Sequence, residues 1–159
     1  MRLIDLHIEG FGKFHDLDLR FAEGMNILYG HNEAGKSTLH AFLQAMLYGL
    51  ERRPGVGSAA KLHKKYRPWD APERFGGTLR LAHEGQVYRI VRDFNADDLS
   101  ADGAVSSSLE IWNETTGVRV TDSRGFLQAM LGGISETAFE NTVSIGQLRS
   151  ATSRSMVHE

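Results

Sequence analysis

Cysteine is absent from this chain of 159 residues, so disulfide bonds and thiolate metal sites are excluded. No apolar run approaches the ~18 residues that a membrane-spanning helix needs. The first residues, MRLIDLHIEG, lack the apolar core of a secretory signal. These absences predict a cytoplasmic protein with no membrane partner.

Neither sign of charge is in large excess, because the formal net charge is only −2. Composition alone therefore does not predict nucleic-acid binding, although a local basic patch can act against a nearly neutral background. The seven histidines are scattered and form no close ligand pair such as H-E-x-x-H, which argues against a histidine metal site. The length predicts a single domain with a substantial core.

Residues 25–38 read MNILYGHNEAGKST and contain the phosphate-binding pattern G-x-x-x-x-G-K-[ST]. Gly30 and Gly35 permit backbone angles and close approaches that a Cβ would block. The loop N–H groups and the N-terminus of the next helix then form an anion site. Lys36 would reach the β- and γ-phosphates of a nucleotide, and the Ser37 hydroxyl would hold Mg²⁺. The predicted phosphate-binding set is Gly30, Asn32, Glu33, Ala34, Gly35, Lys36, Ser37 and Thr38.

The segments on either side of the loop favour the same interpretation. Residues 25–29 are a short apolar run that predicts a buried β-strand. Apolar residues on one helical face predict a helix at about 36–49. These residues are Leu39, Phe42, Leu43, Met46 and Leu50. Strand, glycine loop and helix is the order that supports a phosphate-binding loop, so we expect nucleotide binding.

The rest of the chain is mainly β-strand by its pattern. Spaced apolar residues predict further strands at 2–9, 16–21, 77–83, 86–94, 109–113, 118–120 and 141–145. A helix is predicted at 123–131, ended by Gly132 and Gly133, with one more helical turn at 135–139. Long loops are predicted at 51–76, which holds all three prolines, and at 95–107.

Four stretches carry a resemblance to a known family: MRLIDLHIEGFGKF, GMNILYGHNEAGKST, YRPWDAPERFGGTLRL and LGGISETAFENTVSIGQLRS. Together they resemble the N-terminal end of the ABC-type ATPase heads of SMC, SbcC, RecF and RecN proteins, nearest to YhaN-like or SbcC-like AAA ATPases. The resemblance implies an α/β P-loop NTPase fold, namely the N-terminal lobe of an ABC-ATPase head with an antiparallel β subdomain. This lobe would span 1–147, and 148–159 would be the root of a coiled coil or a truncated tail.

The resemblance also implies site residues and cofactors. ATP and Mg²⁺ are the expected cofactors. Gln147 matches the Q-loop glutamine that helps hold Mg²⁺ and orient water, so Lys36 and Gln147 are the expected catalytic residues. Lys13 matches a basic position that approaches the nucleotide, although many relatives carry arginine one residue earlier, where this chain has Gly12.

Parts of a complete head are missing from this sequence. It contains no hydrophobic strand ending in Asp-Glu, no LSGGQ-type signature and no recognisable switch histidine. The resemblance therefore implies half a head, completed by a C-terminal lobe of the same protein and paired with a second head in a homodimer. ATP hydrolysis is expected of the intact protein and not of this fragment alone. DNA and a nuclease subunit are the implied partners, in DNA repair or chromosome maintenance.

Two other functions remain open from the sequence. A complete small P-loop kinase would need an acceptor site, and Arg67 and Arg74 could serve an arginine-bearing lid. A nucleotide-binding module without hydrolysis is the other alternative.

One patch bears on the DNA hypothesis. Its basic and aromatic side chains are Lys61, Lys64, Lys65, Tyr66, Arg67 and Trp69. Such a patch suits phosphate contact and base stacking. A solvated loop with its aromatics on the core, or a lid over the nucleotide, also explains it and is favoured over DNA contact.

Overall fold

The computed structural model describes residues 1–50, 59–99 and 105–144, with side chains described for 1–50, 63–95 and 108–144. Its centre is one six-stranded sheet. The strands are β1 (Arg2–Phe11), β2 (Phe14–Arg20), β3 (Gly76–His83), β4 (Gln86–Leu99), β5 (Val105–Asn113) and β6 (Val118–Arg119). Their order is β2-β1-β3-β4-β5-β6, and every neighbouring pair is antiparallel.

Four helices accompany the sheet in the described residues. They are α1 (Lys36–Tyr48), α2 (Ala59–Tyr66), α3 (Ser123–Met130) and α4 (Glu136–Thr142). Among the residues that the structure describes, no helix is both long and apolar enough to cross a membrane. The predicted helices at 36–49 and 123–131 and the two predicted hairpins after residue 76 are confirmed.

The core lies between one face of the sheet and α1. Leu6, Leu79, Ile90 and Ile111 are register partners across four strands, and none is more than 2% exposed. This apolar row follows from the period of two along each strand. The apolar stripe of α1 joins the same cluster, with Phe42 fully buried. The helix that begins at the glycine loop is thus anchored on the sheet.

The opposite face of the sheet is polar. Arg80 donates to the carboxylates of Asp5, at 2.7 Å, and Glu114, at 2.8 Å. Glu114 also pairs with Arg89 at 3.5 Å. Both acidic partners raise the pKa of Arg80, with the hydrogen bond to Glu114 as the largest cause. An antiparallel sheet with one solvated face has this alternation of apolar and charged residues.

A buried arginine joins the sheet to the end of α1. Arg92 lies on the core face of β4 and is 4% exposed. Its Nε donates to the carbonyl oxygen of Met46 at 2.8 Å, and a second guanidinium nitrogen lies 3.4 Å from that of Leu47. A cation at a helix C-terminus is favourable because it meets unpaired carbonyls and the negative end of the helix dipole. The sequence pattern gave no account of this residue.

The predicted strand at 25–29 is wrong. These residues form no regular structure, and Met25, Ile27 and Tyr29 are 86%, 83% and 89% exposed. A strand forms only where a neighbour accepts and donates its backbone hydrogen bonds. In the part of the chain that the structure describes, no strand pairs with this segment.

The predicted strand at 141–145 is also wrong over its described part. The helical turn predicted at 135–139 continues as α4 through Thr142, and Ser144 follows without strand structure. The helix starts because the Ser135 side chain accepts a hydrogen bond from the backbone N–H of Ala138 at 3.2 Å. This cap allows helix to extend over residues whose alternation resembles a strand.

The two predicted long loops contain regular structure. The segment 51–76 includes α2, and the loop predicted at 95–107 gives way at both ends to longer strands, since β4 reaches Leu99 and β5 starts at Val105. Residues 51–58 and 100–104 lie outside the described residues. Strand pairing with a neighbour, which local composition does not report, extends β4 and β5.

Gly132 and Gly133 end α3 as predicted. Both have positive φ, at 69° and 68°. The Gly133 N–H donates to the Gln128 carbonyl at 2.8 Å, and the Gly132 N–H donates to the Ala129 carbonyl at 2.9 Å. This pair of bonds is a Schellman motif, which needs left-handed backbone that glycine adopts at little cost.

Candidate nucleotide-binding site

The glycine loop leads directly into the first turn of α1. Gly35 is the N-cap residue and has φ 102°, a left-handed conformation that favours glycine. A Cβ at Gly35 would overlap the ring of Phe14, and one at Gly30 would lie 2.8 Å from the Cβ of Ala34. Both glycines of the pattern are therefore required by close packing, at the positions that the sequence assigned to phosphate binding.

Positive charge lies on the loop itself. The Lys36 ammonium donates to the carbonyl oxygens of Gly30, at 2.5 Å, and His31, at 2.8 Å. Ser37 is exposed beside it, and among the described residues no side chain caps the N-terminus of α1. The first N–H groups of a helix have no partner within the helix, so this terminus attracts an anion.

The bend between β1 and β2 forms a second wall. Its Lys13 ammonium donates to the carbonyl oxygen of Glu33 at 2.5 Å, while Phe14 packs against Gly35. Gly12 has φ 59°, and a Cβ there would lie 2.9 Å from Cγ2 of Thr38. The close approach explains why glycine occupies this position. Two ammonium groups thus meet one loop, as binding of a polyanion requires.

The same bend is held from its other side by the end of α2 and by the segment after it. The Gly12 N–H donates to the Tyr66 carbonyl at 2.5 Å, and Nε2 of His15 lies 3.2 Å from a carboxylate oxygen of Asp70. Asp16 and Arg74 form a two-point ion pair. The hydrogen bond from Arg74 lowers the pKa of Asp16, and the same bond raises the pKa of Arg74. The bend therefore has a defined position over the loop.

The basic-aromatic patch is divided by the fold. The Tyr66 ring stacks on Phe11 with a centroid distance of 4.8 Å, so Tyr66 belongs to the core side of α2. Trp69 is 94% exposed, although Pro68 beside it is fully buried. Lys64, Lys65 and Arg67 are exposed. Of the two predicted aromatic residues, only Trp69 is available to a partner.

Gln147 lies outside the described residues. The strand that was predicted to lead to it is not formed over 141–144. Its predicted position after a strand is therefore not supported by the described residues. The described chain ends at Ser144, whose hydroxyl oxygen lies 2.6 Å from Nε2 of His40 on α1. His40 belongs to no motif of the sequence.

The site fits a nucleoside phosphate with its metal ion. The glycine positions have no room for a Cβ, the helix terminus is uncapped, and Lys13 and Lys36 place two cations on the loop. Among the described residues no group of three histidine or acidic side chains could hold a metal ion by itself. A Mg²⁺ ion here would therefore use the Ser37 hydroxyl and phosphate oxygens, which is how Mg²⁺ commonly binds with nucleotides.

Comparison with known proteins agrees with this geometry. The sequence model of a family described as "AAA domain" matches residues 1–153. The chain belongs to this AAA domain family. The "Uncharacterized protein YhaN" of Bacillus subtilis (strain 168) is 36% identical over 94 residues, which is 58% of this chain and 9% of the relative. The predicted likeness to YhaN-like AAA ATPases is confirmed, and membership of the AAA domain family supports a nucleotide-binding ATPase module.

Proposed function

We propose that this AAA domain is the ATP-binding N-terminal lobe of a dimeric SMC/SbcC-like ATPase that couples ATP binding and hydrolysis to DNA repair or chromosome maintenance. The observation that carries the proposal is the geometry of the glycine loop, residues 30–38, together with Lys13; we call this arrangement the phosphate cradle. In it the ammonium groups of Lys36 and Lys13 both contact carbonyl oxygens of the glycine loop, at 2.5 Å from Gly30 and Glu33. Two cations on a loop with an uncapped helix terminus favour a triphosphate.

Each residue has a proposed role in the cradle. Lys36 and Lys13 neutralise phosphate charge, and the backbone of residues 30–38 supplies N–H donors. Ser37 holds Mg²⁺, which when bound neutralises the phosphate oxygens. Gln147, outside the described residues, remains proposed as the second Mg²⁺ and water ligand. The acid-base residue for hydrolysis is proposed to come from another lobe.

The exposed segment at 25–29 supports the existence of that other lobe. Its residues favour β-structure and lead straight into the glycine loop, yet Ile27 and Tyr29 are 83% and 89% exposed. Exposed apolar residues with unpaired backbone groups are suited to pairing with a further strand. We therefore propose that the C-terminal lobe of the same protein pairs here, and that residues 148–159 lead towards it through a coiled coil.

The first test is Mg²⁺-dependent ATP hydrolysis by residues 1–159 alone and by the protein from the complete reading frame. We expect the fragment to bind ATP without turnover, because the proposed base is not part of it. The complete protein should hydrolyse ATP with a specific activity that rises with protein concentration, because a second head closes each site. Turnover by the fragment alone would contradict the half-head and favour the small-kinase alternative.

DNA is the proposed client, with a nuclease subunit as a further proposed partner. The observation that favours DNA contact is an exposed surface formed by Lys64, Lys65, Arg67 and Trp69. Close to this surface, a carboxylate oxygen of Asp70 lies 3.2 Å from Nε2 of His15. Lysine and arginine side chains contact phosphates, and an exposed indole stacks on unpaired bases.

Reversing Lys64 and Lys65 to glutamate should weaken DNA binding about tenfold and reduce the salt slope by about 2, since each phosphate contact contributes about 1. Salt-dependent anisotropy titrations with a labelled oligonucleotide measure both quantities. The matched control reverses Arg20 and Arg119, which are exposed on β2 and β6 at the opposite edges of the sheet. Equal losses from both double variants would show a general charge effect and remove this surface from the proposal.

A further inference from the structure

The bend that carries Lys13 lies at an edge of the sheet. In the described sheet, β2 pairs with β1 alone. Asp16, three residues after Lys13, has φ 48°, in the left-handed region that a residue with a Cβ rarely adopts. Backbone of this kind persists where the surrounding contacts hold it in place. The position of the bend therefore depends on contacts from outside the β1–β2 pair.

Arg74 supplies such a contact. Its guanidinium donates two hydrogen bonds to the Asp16 carboxylate, one of them at 2.9 Å. A two-point pair between arginine and a carboxylate fixes direction as well as distance, because the two planar groups must face each other. The pair lies on the surface, with 44% of the Arg74 side chain and 60% of the Asp16 side chain exposed. An exposed ion pair adds little to the stability of a fold, so the effect of this pair is mainly on geometry.

The backbone of Arg74 is fixed to the core of the protein. Its N–H donates to the Ala71 carbonyl at 3.0 Å. Its carbonyl oxygen occupies the space where a Cβ of Gly10 would lie. The next residue, Phe75, is 1% exposed and belongs to the core cluster. Arg74 is therefore a fixed point from which the bend can be held.

The position of the bend sets where the Lys13 ammonium lies. Lys13 and Phe14 are neighbours on this bend, and both meet the glycine loop. The Lys13 ammonium donates to the carbonyl oxygen of Glu33, and the Phe14 ring fills the space beside Gly35. A shift of the bend would therefore move the cation and the ring away from the loop together.

We propose that Arg74 is a positioning residue for the nucleotide site: its two-point ion pair with Asp16 holds the β1–β2 bend so that the Lys13 ammonium stays on the glycine loop. The inference rests on the proposed nucleotide function and adds a residue to it. Arg74 does not itself contact the phosphates in this arrangement. It acts on them only through Lys13, which distinguishes its role from that of a further phosphate ligand.

A double-mutant cycle with Lys13 tests this role. The affinity of residues 1–159 for ATP with Mg²⁺ is measured for the wild type, Arg74→Gln, Lys13→Ala and the double variant. Arg74→Gln should weaken binding about fourfold, less than the tenfold or so expected of Lys13→Ala, because an exposed ion pair restrains the bend only modestly. The double variant should bind ATP as Lys13→Ala does, since the position of the bend no longer matters without the ammonium. Independent effects would instead multiply, to about 40-fold.

Companion variants separate positioning from general stability. Arg74→Lys keeps the charge without the planar fork and should lose only about twofold in ATP affinity. Asp16→Asn removes the carboxylate charge while asparagine still tolerates left-handed backbone, so it should act like Arg74→Gln.

The matched control is Arg119→Gln. Arg119 lies on β6 at the opposite edge of the sheet and forms a similarly exposed ion pair with Glu110, at 2.9 Å. Its loss should leave ATP affinity unchanged. Urea unfolding should give closely similar free energies for Arg74→Gln and Arg119→Gln, because each variant loses one exposed ion pair.

An ATP affinity of Arg74→Gln equal to that of the wild type would overturn the positioning role. A loss that persists in the Lys13→Ala background would overturn it as well, because Arg74 would then act independently of Lys13. A much larger loss of unfolding free energy than in Arg119→Gln would show a structural role instead.

Lys36→Ala distinguishes failure of this inference from failure of the proposed function. If Lys36→Ala strongly weakens ATP binding while Arg74→Gln changes nothing, only the inference on Arg74 fails. If Lys36→Ala binds ATP normally, the proposed function fails.

Discussion

Replacing Lys36 by alanine should weaken ATP binding by about 100-fold, or about 3 kcal/mol, which is typical of losing charge-assisted hydrogen bonds to phosphate. The ammonium already lies inside the loop, at 2.5 Å from the Gly30 carbonyl and 2.8 Å from that of His31. A phosphate in the cradle therefore meets this charge directly. Titration with a fluorescent ATP analogue or by calorimetry measures the change.

The matched control is Lys64→Ala, which removes the same charge from the exposed surface of α2. It should leave ATP affinity within about twofold, because no contact among the described residues joins Lys64 to the glycine loop and solvent screens an exposed charge. Lys13→Ala should lie between the two, near tenfold, because Lys13 meets the loop through one carbonyl, that of Glu33. An affinity for Lys36→Ala close to that of the wild type would mean that phosphate does not enter this loop.

Gly10→Ala should destabilise the fold by about 3 kcal/mol or more, at the upper end of the cost of overpacking. Gly10 is buried near the end of β1, and a Cβ there would overlap the carbonyl oxygen of Arg74 and lie 3.0 Å from Cγ of Pro68. Because the main obstacle is backbone, the chain from 68 to 74 would have to move. That movement would also disturb the ion pair between Asp16 and Arg74. Urea unfolding followed by circular dichroism measures the free energy.

Gly85→Ala controls for the loss of a glycine as such. Gly85 lies in the turn between β3 and β4 with φ 76°, and nothing surrounds the position of a Cβ there. Its replacement should cost only the strain of left-handed backbone, about 1 kcal/mol. The contrast between the two variants isolates the close approach at Gly10. Equal losses in unfolding free energy would show that this approach is relieved without effect on the fold.

Patterns that depend on neighbours in sequence were predictable. The period of α1 and the alternation in the β3–β4 hairpin arise from one segment burying one face. The same holds for Gly132 and Gly133, which end α3 because each helix end needs partners for its last carbonyl groups. The spacing of Gly30, Gly35 and Lys36 is equally local, because consecutive backbone groups form the loop that we propose encloses a phosphate.

The failures have one physical cause. Residues 25–29 have strand composition, yet a strand requires a partner that no described part of the chain supplies. Residues 141–144 alternate like a strand, but the Ser135 cap starts a helix that runs through Thr142. In both cases the state of the segment depends on hydrogen-bond partners that residue types alone do not reveal.

The sequence by itself determined the glycine loop and the helix after it, because these depend on glycine conformation and local periodicity, and its motifs indicated the family. Only the tertiary structure decided which distant residues meet that loop. It brought Lys13 to the Glu33 carbonyl, turned Tyr66 onto the core and placed Ser144 beside His40. Such contacts join segments far apart in the chain, and their geometry is set by how the sheet and α1 pack together.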